Sequence, residues 1–179
     1  MKDYEGVLPE IPDMAVITDS MTINGDVICD GNIEMRGNII GNMAIQGKII
    51  VGGCIDGDLF AKEIYTESAK ITGEVKSEGN IKIEENSIII GNVSAENIVN
   101  AGAVKGDITV SGAAVLDTSA IVMGNIRSES LQINRGAVME GMCSMQQAKV
   151  KARDIFNRLL SQTETDNFMP VEEKTQNIP

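Results

Sequence analysis

No histidine occurs among the 179 residues. Its absence removes at once the usual general base near neutral pH, the commonest metal ligand and the base of a nucleophilic triad. Hexapeptide-type acyltransferases and their zinc-using relatives rely on that side chain, so the β-helical enzyme alternative loses its chemistry. Tryptophan is missing too, with only 2 Tyr and 3 Phe, and whatever core exists has to be aliphatic. Positive charge is scarce: 15 Lys and Arg stand against 26 Asp and Glu, for a net charge of −11. Nucleic-acid affinity rests on Lys and Arg at phosphates, so a nucleic-acid partner is not expected. No Gly-x-x-x-x-Gly-Lys-[Ser/Thr] loop occurs, which leaves nucleotide-driven chemistry without its motif. No apolar run approaches the roughly 18 residues that span a bilayer. The opening "MKDYEGVLPEIPDM" has neither the basic region nor the apolar stretch of a signal peptide, and a cytoplasmic location is expected. Cys29, Cys54 and Cys143 are an odd set without C-x-x-C spacing, which predicts buried thiols rather than a metal site or disulfide.

What the chain has in quantity is glycine, 18 residues of it, at even intervals. Gly followed by Asp, Asn or Glu and then an aliphatic residue recurs at Gly25, Gly41, Gly57, Gly73, Gly91, Gly106 and Gly124, and Gly141-Met142-Cys143 ends the series. The spacing is 15 to 18 residues, too short for a βαβ unit or the common helical repeats. Inside each unit short apolar-polar alternations recur, such as Ile33-Glu34-Met35 and Ile81-Lys82-Ile83, and an aliphatic residue or Met stands two positions before the next Gly. Units this short cannot bury their own inward side chains, but stacked coils can. The pattern predicts an all-β fold: a single-stranded β-solenoid, a right-handed parallel β-helix of about 15–18 residues per coil, because parallel crossovers are overwhelmingly right-handed. Val27, Met43, Leu59, Val75, Val93, Ile108 and Ile126 should form one internal ladder. Gly then permits the corner, and the Asp or Asn after it tolerates unusual dihedrals or bonds to backbone. The column mixes Asp, Asn and Glu and lacks the dense Gly-Gly-x-Gly-x-Asp pattern of calcium-binding coils, so neither metal nor cofactor is expected. Coils of this length also leave no room for the long loops and basic groove of a polysaccharide lyase.

The Gly-[Asp/Asn]-aliphatic units from about Ala15 to Met145, with "GNIRSESLQINRGAVMEGMC" near their end, resemble the bactofilins, bacterial polymer-forming cytoskeletal proteins. The resemblance implies a right-handed β-helix that assembles into filaments without nucleotide, in many members through contacts between like ends. It also implies a cytoplasmic scaffold, often peripheral at the inner face of the membrane, that positions client proteins. Membrane-attached members commonly carry a short apolar N-terminal stretch. Here Asp3, Glu5, Glu10 and Asp13 with two prolines occupy that place, which argues against direct membrane binding.

The domain reading that follows is a flexible tail over 1–14, the β-helix over 15–145, an amphipathic helix over 146–162 and a disordered tail over 163–179. The helix carries Ile155, Phe156, Leu159 and Leu160 on one side, and over 148–160 its charge is +3. The rod, with nine basic and seventeen acidic residues over 15–145, stands at −8. Packing on or capping the rod is one role for this helix; binding a membrane surface or a partner is the other. Met residues gather at both ends of the repeats, and Met142 replaces the polar corner residue of every earlier unit. Met21, Met139, Met142 and Met145 are therefore candidate polymer-interface residues, since Met suits adaptable contact surfaces. Residue 28 lies between two inward positions and should point outward, with Ala44, Phe60, Lys76, Ser94, Thr109 and Arg127 stacked above it. Ile28 and Phe60, Tyr65 on another face, and Phe156 in the helix are the candidate lateral or partner surface.

Overall fold

The computed structural model describes residues 14–146, 154 and 156–161, and the chain divides into two units between Gln146 and Gln147. The first unit is built almost wholly of short parallel strands wound into a β-solenoid of about eight turns. Each turn contributes strands to three stacks. One runs from Val27–Cys29 to Cys143–Met145, a second from Thr22–Asn24 to Val138–Glu140, and a third from Met14–Ile17 to Ser130–Ile133. Strands stay at three or four residues except Met43–Val51 and Leu59–Thr66, which run through a corner and so join the first and third stacks. Between these two long strands the register shifts from Ile45 to Lys48, and Gly47 sits in that shift, where a Cβ would strike the Gly31 carbonyl below it.

The stacking register explains the sequence pattern. Val27 pairs with Met43, Met43 with Leu59, and the column continues through Val75, Val93, Ile108 and Ile126 to Cys143. Met43 to Ile126 are fully buried, whereas Val27 is half-buried because it lies in the first turn. A second inward column, Ile39, Ile55, Ile71, Ile89, Val104 and Val122, lies two residues before each corner Gly. Every turn thus adds aliphatic area to the same core, and each buried side chain of this size is worth about 1.5–3 kcal/mol.

The expectation of buried thiols is corrected. Cys54 and Cys143 are exposed and Cys29 is half-buried. Cys54 precedes the inward Ile55 in its strand, so alternation turns it outward. Cys143 does occupy the inward ladder above Ile126, but in the last turn. Pairing reaches both ends of the described unit: Met14 pairs with Asn32, and the Gln146 N–H donates to the Ser128 carbonyl. In the second unit residues 154 and 156–161 are helical and exposed. The rest of the expected helix beyond Gln146, and both tails over 1–13 and 163–179, lie outside the described residues. No described helix is long and apolar enough to cross a membrane.

Candidate functional site

The corners define the direction of the rod. Each corner Gly has a positive φ, for example +149° at Gly91, and the residue after it turns its N–H out of the carbonyl ladder. That N–H is met instead by a side chain one turn below. The Asn42 N–H donates to Asp26 Oδ1 (2.9 Å), Asp58 to Asn42 (3.0 Å) and Glu74 to Asp58 (2.9 Å). The series resumes as Asp107 to Asn92, Asn125 to Asp107 and Met142 to Asn125. Asp and Asn are the right length for this reach. Glu74, one methylene longer, makes no matching bond to Asn92. Every oxygen in the series serves the turn on its C-terminal side, and at the top Met142 has none to offer.

Among the described residues, the strands at both ends of the solenoid have a pairing partner on one side alone. Val138–Glu140 pairs with Ile121–Met123 beneath it, Cys143–Met145 with Ile126–Ser128, and Ser130–Ile133 with Ala113–Leu116, and no described strand pairs with them from above. The inward columns accordingly end in Leu131, Ile133, Met139, Cys143 and Met145 with no described turn above them. Cys143 Sγ lies 3.0 Å from Met139 Sδ. Of the expected interface residues, Met139, Met142 and Met145 are therefore brought together in the last turn, with Met142 73% exposed. Met21 is exposed too, but in the first turn at the opposite end of the rod.

On the flank, Ile28, Ala44, Phe60 and Lys76 stack in register, as expected. Ile28 is 79% and Phe60 37% exposed. They line a groove of about 440 Å³ together with Asp26, Asn42, Asp58 and Glu74 from the corner series. Tyr65 stands on a different face, in register between Ile50 and Lys82. Its hydroxyl donates to Glu84 Oε1 at 2.9 Å, and Lys48 Nζ (5.9 Å) and Lys82 Nζ (5.2 Å) lie over its ring. Hydrogen bonds from Lys82 and then Tyr65 hold the Glu84 carboxyl below its ordinary range. The stabilisation this gives is present at neutral pH and lost on acidification through that lowered range, and at an exposed cluster it is small. Tyr65→Phe removes one of the two hydrogen bonds. Glu84 is then expected to titrate at higher pH, nearer the ordinary value, in side-chain carboxyl NMR; an unmoved titration would contradict the bond. Phe156, in the second unit, is exposed.

Sequence reasoning missed an apolar strip on the second stack, where Ile88, Ile90, Ile121, Met123 and Val138 all face outward. The signal was available: if the residue two before each corner Gly is inward, those one and three before it are outward. Among the described residues no cluster of three or more Cys, Asp or Glu could hold a metal ion.

A stack of parallel coils around one aliphatic core defines a β-solenoid. The family model described as "Bactofilin: Polymer-forming cytoskeletal" matches residues 52–144. The chain belongs to the bactofilin family, and with it to the filament-forming proteins of the cytoskeleton. No curated protein and no solved structure matches the chain.

Proposed function

We propose that the protein is a cytoplasmic scaffold that polymerises without nucleotide through the ends of its β-helix, like end to like end, and recruits client proteins along its flanks. The observation that carries the reading is the last turn, where five inward-column side chains lie at a strand edge that no described turn completes. Such an edge is completed by another edge, and its apolar surface is covered in the same event. The corner series supports the like-end arrangement. In head-to-tail stacking the thioether of Met142 would lie where the N–H of Asp26 needs a side-chain oxygen, whereas two C-terminal ends present apolar surface to apolar surface. The flank residues Ile28, Phe60 and Tyr65 remain outside such a contact and are open to partners.

Two measurements test it. Met142→Arg or Met145→Arg places a charge opposite its own copy, and the purified variant is expected to keep its β-rich circular dichroism while losing pelletable filaments in nucleotide-free buffer. Folded variants that still form normal filaments would take the C-terminal end out of the interface. A chain with Cys29→Ser and Cys54→Ser retains Cys143 alone, and diamide should link it into disulfide dimers, because like ends bring the two thiols together. Head-to-tail filaments would give no such dimer.

A further inference from the structure

We infer that the groove over the first turns of the rod is a docking site for a cationic amphipathic helix of a partner protein; this deepens the recruiting role proposed above and rests on it. Ala44 is the reason a groove exists: it is a small side chain stacked in register between Ile28 and Phe60, so the column dips between two large apolar walls. Large exposed Ile and Phe side chains flanking a hollow are what an apolar anchor residue fills. The charged lining fixes the sign of the partner. Asp26, Asp58 and Glu74 line the groove, against Lys76 at its upper end. Asp26 and Asp58 each use Oδ1 on the corner N–H of the next turn, which leaves the second carboxylate oxygen of each for a partner.

The spacing of these carboxylates suits a helix. Asp26 and Asp58 are two turns apart, about 9.6 Å at the parallel-strand separation, and positions i and i+7 on an α-helix are about 10.5 Å apart. Lys or Arg at those two positions can meet both carboxylates while a Leu or Phe between them enters the hollow above Ala44. Anionic lipid headgroups and acidic peptides carry the wrong sign for this lining. A second copy of the rod is disfavoured for the same reason, since its seventeen acidic residues outnumber its nine basic ones over 15–145. The net charge of the rod would further speed the approach of a cationic helix at low salt.

The test uses a fluorescent amphipathic peptide of about 15 residues with Lys at i and i+7 and Leu on the same face, and its twin with Glu in place of Lys. Anisotropy is measured on the full chain, on Ala44→Trp, which fills the hollow, and on the Asp26→Asn, Asp58→Asn pair. Asn keeps the oxygen that each corner N–H needs, as Asn42, Asn92 and Asn125 already do, so this pair removes charge without opening the corners. The Lys peptide is expected to bind at least tenfold more tightly than the Glu peptide and to lose about tenfold on Ala44→Trp. On the Asn pair it should lose several-fold, together with much of its salt dependence. Equal binding of the two peptides, undiminished binding to Ala44→Trp, no binding of the Lys peptide, or adhesion of phosphatidylserine vesicles through these same residues would each overturn the assignment. Because Met142→Arg lies at the far end of the rod, repeating the titration on that variant separates this result from the fate of the polymerisation model.

Discussion

Ile108→Asp is expected to destabilise the rod by about 5 kcal/mol, whereas Thr109→Asp, one residue on, should lie within about 0.5 kcal/mol of the parent. Ile108 is 1% exposed and stacked between Val93 below and Ile126 above. A carboxylate there loses its hydration without gaining a partner, and the methyl groups it replaces leave both neighbours under-packed. Thr109 stands in the outward column between Ser94 and Arg127. In a solenoid each turn touches only its neighbours, so the damage should also be local. Hydrogen exchange is expected to rise first in the turns around residue 108, and urea unfolding should separate into two steps. Equal losses at 108 and 109, or a larger loss at 109, would mean that the inside-outside register is shifted by one residue.

Gly91→Ala is the second large effect, expected at about 4 kcal/mol, while Gly25→Ala should cost only about 1–2 kcal/mol. Both glycines have φ values closed to L side chains, +149° and +136°, and both substitutions carry that strain. They differ in what lies below. An added Cβ at Gly91 would strike the Gly73 carbonyl oxygen, a backbone atom fixed in the stack, whereas at Gly25 in the first turn it would meet nothing within 4 Å. The difference between the two melting curves therefore measures how tightly successive corners are stacked, apart from the dihedral cost. Similar losses at both sites would show that conformation alone demands the glycine.

The stacked core was legible in the sequence because a solenoid repeats one local rule, and the ladder from Met43 to Ile126 could be read by counting from each Gly. Position along the rod was harder to read. Val27 and Cys143 obey the same inward rule as Ile108, yet burial also requires a turn on either side, and each of these end residues has a described turn on one side alone. Cys54 was misjudged for a simpler reason: thiols are buried on average, and the average was applied where alternation with Ile55 already gave the answer. The three consecutive isoleucines at 88–90 look like uninterrupted core, although only Ile89 is buried. The depth of the groove at Ala44 was hidden because it depends on three side chains brought into line from separate turns. The corner Asp and Asn were read as backbone-bonding groups, but that the bond reaches across to the next turn, always in one direction, needed the stacking register itself.

That repetition also bears on how such a protein changes through descent. Except at Glu74, successive turns meet through the same Gly corner, the same Asx-to-backbone bond and aliphatic columns of the same kind, so a tandem duplication of a coil with Asp or Asn at its corner would join its neighbours without a mismatched seam. The rod would lengthen by about 4.8 Å per copy, while its two terminal faces stay as they were. Loss of a coil runs the same way in reverse. Length and assembly are thus inherited as separate traits, the first set by copy number in the middle of the gene and the second by a few residues at its edges.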